Sequence, residues 1–245
     1  MKRKNIFVSG SSKGIGFSIA KHLANRNNFK VIINGRNIKS LKKAAKSIKN
    51  CSYIPGDVSN KNHLKKINNQ INKIDILICN VGNGKSAKPG KERLEDWSKS
   101  FNDNFYSTIN TINCFKKKLI KSKGIIICIS SICGMEYIKG APITYSVTKA
   151  ALNAFVRYYS KIIGPKGVRI NAIAPGNIFF KGSTWEKKIK KKEKIVKKTL
   201  KDEVSLQKFG STTDITGIID YLINSNSNFI NGSVFVVDGG QIRSF

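Results

Sequence analysis

The chain has 245 residues, 40% of them hydrophobic, and 20 glycines, which is typical of a globular α/β protein with one large core. It contains no run of about 18 apolar residues, so neither a membrane-spanning helix nor membrane insertion is expected. Its five cysteines are odd in number and lack Cys-x-x-Cys spacing, which predicts reduced thiols in a cytoplasmic protein, and the two histidines, on separate predicted helices, do not suit a metal centre.

The net charge of +31 has two explanations. Lysine supplies 38 of the 45 basic residues, and asparagine and isoleucine are also abundant, as expected of a genome biased toward A/T-rich codons. The alternative is a functional field that attracts an acidic partner, such as a carrier protein, a nucleotide or a nucleic acid. Because the lysines are spread over many segments without interleaved aromatic residues, specific nucleic-acid binding is not expected.

Short apolar runs alternate with amphipathic stretches along the chain. The runs predict strands at 6–9, 30–34, 51–54, 75–79, 124–130, 168–174 and 233–237. The stretches predict helices at 14–26, 38–49, 60–73, 93–120 (open to a break), 144–163, 185–201 and 212–224. This alternation indicates a parallel sheet covered on both faces. We therefore predict a single doubly wound, Rossmann-type α/β domain over residues 1–245, with a seven-stranded parallel sheet.

A glycine-rich segment joins the first predicted strand to the first predicted helix. It runs Ser-Gly-Ser-Ser-Lys-Gly-Ile-Gly from residue 9 to residue 16. Gly10 permits a tight turn, Gly14 lets the backbone approach a pyrophosphate, and Gly16 allows close packing of the helix. Since a helix N-terminus offers free N–H groups to phosphates, the segment predicts dinucleotide binding. The predicted cofactor loop also includes Ser12, Lys13 and Ile15.

The end of the second predicted strand bears on the choice of dinucleotide. NAD-preferring sites often place an acidic residue here, whereas this chain has Arg36, with Lys13 in the glycine loop. Two cations at the adenosine ribose suit a 2′-phosphate and favour NADP(H); the alternative is that both are solvated surface charges. After the third strand, Asp57 and Val58 are placed to contact the adenine, although Asp57 could simply cap the following turn.

Tyr145 and Lys149 are four residues apart on a predicted helix and therefore share one face. A free tyrosine has a pKa of about 10, but a neighbouring cation favours the phenolate and lowers that pKa. Ser131, upstream at a strand end, can hold a substrate carbonyl or alcohol beside the phenol. Together the three residues predict proton chemistry at an oxygen atom, and the dinucleotide would complete a redox site.

A strongly basic stretch follows the sixth predicted strand. Residues 181–201 contain ten lysines and two glutamates, a net charge of +8. Trp185, Ile189, Val196 and Leu200 nevertheless fall at helical spacing and form an apolar stripe. The stretch is either a solvated surface helix or a mobile substrate lid, around 181–205, whose lysines face solvent or an anionic part of the substrate.

Several motifs, in this order, resemble the compact single-domain branch of the short-chain dehydrogenase/reductase family over essentially the whole chain. Besides the cofactor loop and the Tyr-x-x-x-Lys pair, they are Cys-Asn-Val-Gly at 79–82, Asn-Asp-Asn-Phe at 102–105, Ser-Ser at 130–131, Asn-Ala-Ile-Ala-Pro-Gly at 171–176 and Val-Asp-Gly-Gly at 237–240. The first of these departs from the family's Asn-Asn-Ala-Gly at two positions. The resemblance implies further cofactor contacts at Asn80, Gly82, Tyr145, Lys149, Pro175, Gly176 and Ile178.

The resemblance also implies hydride transfer between the C4 atom of nicotinamide and a carbonyl carbon. Tyr145 would donate the proton as general acid, and Ser131 would orient the oxygen. Lys149 would bind ribose hydroxyls and lower the pKa of Tyr145. Asn104 would hold a water molecule that relays protons through Lys149.

One position departs from the family pattern. Phe180 stands where the family often has a threonine that contacts the nicotinamide carboxamide. Either Ser183 or a backbone group replaces that threonine, or Phe179 and Phe180 shape an apolar pocket instead.

The sequence leaves the substrate open. The nearest resemblance, to 3-oxoacyl-[acyl-carrier-protein] reductases, implies reduction of a 3-oxoacyl or similar ketone to a secondary alcohol, and the basic surface would suit an acidic carrier. A sugar or nucleotide-linked sugar carbonyl is an alternative, and a catalytically silent NADP-binding regulatory protein is another. The resemblance also implies a homodimer or homotetramer built on helices around 105–120 and 144–163, where Phe155, Tyr158, Tyr159 and Ile162 supply apolar surface.

Overall fold

The computed structural model describes residues 3–224 and 227–243. Within them, all seven predicted strands are present and form one parallel sheet in the order β3-β2-β1-β4-β5-β6-β7. The strands are β1 Lys4–Val8, β2 Phe29–Gly35, β3 Cys51–Pro55, β4 Ile76–Cys79, β5 Ile125–Ile129, β6 Arg169–Pro175 and β7 Val234–Val237.

The sheet grows outward in two directions from its centre. Ile6 of β1 pairs with Val31 of β2 on one side and with Ile76 of β4 on the other. The chain reaches β3 at one edge and then crosses back to β4 beside β1, so the strand order reverses there. In such sheets a crevice opens at the carboxyl ends of the strands where the order reverses, and ligands bind in it.

Helices cover both faces of the sheet because each has one apolar face. Leu41 and Ala44 bury one side of α2, and Leu64 and Ile67 do the same for α3. One hydrophobic core joins α1, α2 and α8 to the sheet, and a second joins α3, α5 and α6 to the opposite face. The helices are α1 Gly14–Ala24, α2 Ile38–Lys46, α3 Lys61–Asn69, α4 Leu94–Phe101, α5 Ser107–Ser122, α6 Ile143–Ile163, α7 Thr184–Glu203 and α8 Thr212–Ile223.

The long helix predicted over 93–120 is interrupted. Helix α4 ends at Phe101, a π-helical turn occupies Asn102–Tyr106, and α5 begins at Ser107. A π-turn holds one residue more than an α-turn and commonly marks a functional site. It places the buried side chain of Asn104 against the carboxyl end of the sheet.

Helix α7 has a small hydrophobic core of its own. Val196, Leu200 and Val204 are buried together, with Trp185, Ile189 and Phe209 packed against them. The apolar stripe predicted from spacing is therefore the buried side of this helix. At Lys192 the backbone leaves helical geometry (φ −149°, ψ 52°), so the first two turns form a separate segment.

None of the helices in the described part of the chain is long and apolar enough to cross a membrane.

Candidate active site

The predicted catalytic residues meet at the carboxyl end of β5. Ser131 follows this strand in extended conformation (φ −166°) and begins a short 3-10 turn, Ile132–Gly134. The turn packs against α6 so closely that a side chain on Gly134 would collide with the backbone of Lys149. This contact sets the first turns of α6, which carry Tyr145 and Lys149, beside the strand end.

Tyr145 is a protonated phenol at neutral pH in this environment. Burial raises the pKa of Tyr145 to about 12, and the nearby Cys133 thiol adds to the rise. A hydrogen bond with the Ser131 side chain acts in the opposite direction but is outweighed. The two hydroxyl groups therefore face the same point, and the phenol there holds a proton that it can donate.

Lys149 lies over the face of the Tyr145 ring, with its Nζ atom 5.7 Å from the ring centroid. The ammonium donates a hydrogen bond to the Ile129 carbonyl oxygen at 2.9 Å. Burial lowers the pKa of Lys149 to about 8, against smaller opposing effects of Cys128 and Cys133.

The expected lowering of the Tyr145 pKa by its neighbouring cation is absent from the protein alone. Burial acts on both side chains and disfavours both charged forms. Since Lys149 loses its proton near pH 8, it carries no charge at the pH where Tyr145 ionises. Helical spacing correctly places Tyr145 and Lys149 on one face of α6, but it does not indicate how strongly the two side chains are shielded from solvent.

Asn104 braces the neighbouring loop. Its Oδ1 atom accepts a hydrogen bond from the Asn83 backbone N–H at 2.7 Å, and its Nδ2 atom donates to the carbonyl oxygens of Asn83 and Ser100 at 3.1 and 3.0 Å. A Cβ built on Gly82 would lie 3.1 Å from Asn104 Oδ1 and 3.3 Å from Lys149 Nζ. The structure therefore brings Gly82, Asn104 and Lys149 together, and the Asn104 amide is already engaged with backbone.

The glycine loop has the geometry of a phosphate cradle. Gly10 and Gly14 have positive φ angles of 60° and 63°, which favour glycine, and α1 begins at Gly14. Asn80 ties the loop to β4 by donating hydrogen bonds to the carbonyl oxygens of Ser9 and Gly10. A side chain on Gly16 would collide with Asn80. The backbone at the start of α1 is thus held where a dinucleotide phosphate would meet its N–H groups, so the residues present fit the expected cofactor.

Phe180 borders this cradle. A Cβ built on Gly14 would lie 2.8 Å from the Phe180 ring, so the ring, and not open space, covers that side of the loop. Ser183, the candidate replacement for the family's threonine, is buried and is the N-cap of α7. Its hydroxyl accepts a hydrogen bond from the Glu186 N–H and is therefore already engaged. Phe179 packs on Phe209, with ring centroids 5.8 Å apart. This arrangement favours the alternative in which Phe179 and Phe180 shape an apolar pocket.

The predicted adenosine end lies at the carboxyl ends of β2 and β3. Arg36 is exposed, and its guanidinium is 3.6 Å from the Asp57 carboxylate. Burial acts to raise the pKa of Asp57, but hydrogen bonds from Ser59 and the Arg36 charge outweigh it and leave that pKa lowered. The carboxylate therefore caps the following turn, while Val58 is buried beside it. Lys13 is exposed directly before α1.

The remaining predicted cofactor residues follow the carboxyl end of β6. Pro175 is the last residue of this strand, and a side chain on Gly176 would collide with Asp238. Ile178 is buried and bridges to Gly210 near the start of α8. This segment leads directly into Phe180 and α7, so it connects the sheet to the basic helix.

The sequence predictions did not include the Cys133 thiol, which follows the catalytic Ser131, or the charge of Lys188 that acts on its pKa. Burial raises the pKa of the Cys133 thiol, and hydrogen bonds at Ser131 together with the charges of Lys149 and Lys188 oppose this effect. Cys133 follows Ser131 by two residues, so its position could have been read from the motif. Lys188 lies on α7, far away in the sequence, and no local signal separated it from the other lysines.

Comparison with known proteins places the chain in a family. The family model described as Enoyl-(Acyl carrier protein) reductase matches residues 10–241. The 3-oxoacyl-[acyl-carrier-protein] reductase of Rickettsia prowazekii is 30% identical over 242 residues, which cover 98% of this chain and 97% of that protein. The chain belongs to the short-chain dehydrogenase/reductase family. The predicted resemblance is thus confirmed.

Solved structures share the architecture of this short-chain dehydrogenase/reductase. L-sorbose reductase from Gluconobacter frateurii, complexed with NADPH and L-sorbose, superposes with a TM-score of 0.89 at 22% identity and covers 100% of this chain and 98% of that one. A 3-oxoacyl-[acyl-carrier protein] reductase with bound NAD from Brucella melitensis gives 0.87 at 23% identity, with coverage of 99% and 92%. At these identities the likeness shows a common fold, and it confirms the predicted Rossmann-type α/β class. Family membership makes the protein an oxidoreductase.

Proposed function

We propose that this short-chain dehydrogenase/reductase reduces a ketone to a secondary alcohol with NADP(H). The observation that carries the proposal is the convergence of Ser131, Tyr145 and Lys149 beside a glycine loop shaped for phosphates. A Cβ built on Gly82 would lie within 3.3 Å of both Asn104 and Lys149, so this glycine lies between the two residues where the halves of the site meet.

Each catalytic residue has a distinct task in this proposal. The cofactor, held by the glycine loop at the start of α1, would supply the hydride for the carbonyl carbon. Ser131 donates a hydrogen bond that orients the carbonyl oxygen, and Tyr145 gives its phenolic proton to the same oxygen as negative charge develops there. The Lys149 ammonium then stabilises the phenolate left behind and returns a proton to it. Asn104 holds the loop after Gly82 in place through its hydrogen bonds with the Asn83 backbone.

NADP(H) is supported by the charge at the adenosine end. Arg36 and Lys13 are both exposed, and no carboxylate in the described residues other than Asp57 pairs with Arg36. The Asp57 carboxylate holds the guanidinium at the edge of β2, where a 2′-phosphate could bind to its remaining N–H groups. Some similar structures were solved with NADPH and others with NAD.

A 3-oxoacyl thioester or a similar ketone is the proposed substrate class. Support comes from the 3-oxoacyl-[acyl-carrier-protein] reductases among the relatives, which align over almost the full length of both chains. The basic surface is compatible with an acidic carrier. The sugar carbonyl alternative predicts turnover on ketoses and none on 3-oxoacyl thioesters, so one substrate panel separates the two.

The test is a Tyr145→Phe variant with a matched control. The variant should lose about 10²- to 10⁴-fold in turnover and still bind NADPH, as followed by cofactor fluorescence. Tyr137→Phe, at an exposed tyrosine eight residues upstream, should keep normal rates. If wild-type protein bound NADPH tightly and reduced no carbonyl compound, the silent regulatory alternative would replace this proposal.

Two further expectations belong to the same proposal. Tyr158 and Ile162 are exposed on α6, which suits a homodimer or homotetramer formed through this helix. All five cysteines are free thiols, which suits the reducing cytoplasm. Light scattering and localisation of a tagged protein would test them.

A further inference from the structure

The Phe180 ring fills the space that the glycine loop keeps free for a phosphate group. In dinucleotide-binding loops the second glycine lacks a side chain so that the backbone can approach the pyrophosphate. That glycine is Gly14, which has a positive φ of 63° and begins α1. A Cβ built on Gly14 would lie 2.8 Å from Cε2 and 2.9 Å from Cζ of Phe180. The edge of the ring therefore lies where the phosphate would approach.

A phosphate group and this ring exclude each other. Heavy atoms that are not bonded pack about 3.5–4.0 Å apart, and the ring leaves no gap of that size over Gly14. Arg36 and Lys13, at the predicted adenosine end of the site, are by contrast exposed. The ring therefore blocks the position of the pyrophosphate and leaves the position of the adenosine accessible.

The ring has apolar surroundings on two sides. Phe180 is half-buried and packs against the large core on the α1 and α2 face of the sheet, as Ile15 and Phe17 do. It also forms part of the wall of a groove of about 490 Å³ between α1 and α2, whose lining includes Phe17 and Ala44. This groove gives the ring room to leave Gly14 while it keeps apolar contacts.

The backbone around Phe180 allows such a movement. Before it, the Phe179 N–H donates a hydrogen bond to the Gly210 carbonyl oxygen at 2.8 Å, which ties the chain to the segment before α8. After it, the Ser183 N–H donates to the Phe180 carbonyl oxygen at 2.9 Å and closes a turn. In that turn Gly182 has a positive φ of 84° and open space around it. Phe180 thus lies between a fixed segment and a turn, so its side chain can move while β6 and α8 stay in place.

We propose that Phe180 is a gate on the pyrophosphate site. Its ring covers Gly14 in the closed position and moves into the groove between α1 and α2 when a dinucleotide binds. Because binding requires the open position, the apparent affinity for the whole dinucleotide is reduced in proportion to the fraction of molecules that are open. The proposal rests on the nicotinamide dinucleotide of the proposed function and does not depend on its substrate.

The test compares whole dinucleotides with fragments that lack the pyrophosphate. Binding of NADPH and NADH is followed by cofactor fluorescence, and adenosine 2′-monophosphate and adenosine, the matching fragments, are titrated by calorimetry. Phe180→Ala should bind the preferred dinucleotide about tenfold more tightly than the wild type, which corresponds to a ring that covers Gly14 in about nine-tenths of the molecules. Its affinity for the matching fragment should not change, because the adenosine position is accessible in both proteins.

Two further variants complete the test. Phe179→Ala removes the neighbouring ring, which packs on Phe209, and should leave the affinity for the dinucleotide unchanged. Phe180→Leu keeps an apolar side chain against the core but lacks Cε2 and Cζ, the two atoms that come closest to Gly14. It should therefore bind the dinucleotide more tightly than the wild type even if Phe180→Ala is too unstable to measure.

The opposite results would overturn the proposal. Weaker dinucleotide binding by Phe180→Ala and Phe180→Leu would show that the ring supports the cofactor, and unchanged binding would show that moving the ring has no cost. An equal gain for dinucleotide and fragment would place the ring against the adenosine. If no variant binds a dinucleotide, the gate and the proposed function both fail. If the expected gain is found but no carbonyl compound is reduced, only the proposed function fails.

Discussion

Replacing Lys149 by methionine should make the apoprotein more stable at neutral pH while it abolishes activity. The pKa of the buried ammonium is lowered from 10.5 to about 8. At about 1.4 kcal/mol per pKa unit, keeping this group charged costs the fold about 3 kcal/mol at pH 7. Methionine keeps an unbranched apolar side chain of nearly the same length without the ammonium, but it leaves the Ile129 carbonyl without its donor, which costs about 1 kcal/mol. The variant should therefore be about 2 kcal/mol more stable.

The pH dependence separates this effect from simple repacking. The folded protein binds the Lys149 proton less tightly than the unfolded chain does, so the cost is complete below about pH 8 and fades as the pH rises toward 10.5. By pH 9.5 only about 1 kcal/mol of it remains, and variant and wild type should have nearly equal stability. Urea unfolding at pH 7, 8.5 and 9.5 measures the difference, with Lys117→Met, at an exposed position of α5, as control. A difference that does not change with pH would refute the reasoning.

Three other predictions concern packing, cofactor choice and catalysis. Gly134→Ala should lower Tm by roughly 4–10 °C in thermal unfolding, because the added Cβ would collide with the Lys149 backbone. The control Gly217→Ala, at a position in open space on α8, should raise Tm by roughly 2 °C. A change of Tm in the same direction for both variants would contradict the close approach of Gly134 to α6. Arg36→Gln should raise KM for NADPH by about 10- to 100-fold and hardly change that for NADH, and equal effects on both would argue against a 2′-phosphate contact. The rate of carbonyl reduction should fall above about pH 8 as Lys149 loses its proton, and a level profile to pH 10 would show that its charge is not needed.

Most of the fold could be predicted because its signals are local. Each of the seven strands follows from a short apolar run, and the helices between them follow from periodic apolar positions. The motif spacings likewise placed Ser131, Asn104, Tyr145 and Lys149 in one site. These motifs lie at or near the carboxyl ends of strands, and the parallel topology brings those ends to the same edge of the sheet.

What could not be predicted depends on segments that meet only in the folded protein. The contact between Phe180 and Gly14 joins residues on opposite sides of the crevice, and no sequence spacing relates them. The sequence leaves the helix predicted over 93–120 open to a break, but its apolar pattern does not locate that break at the π-turn of Asn102–Tyr106. The direction of the Tyr145 pKa shift was mistaken because it depends on how deeply the pair is buried.

The separate small core of Val196, Leu200 and Val204 has a consequence for how this enzyme can evolve. The side chains that hold α7 in place are distinct from those that hold the catalytic turn and the nucleotide loop, which belong to the two large cores. Mutations in this helix can therefore accumulate while the machinery for moving hydride and proton stays intact. Under the interpretation of α7 as a substrate lid, descendants of such a chain would diverge first in which molecules they accept, and only later in the reaction they perform.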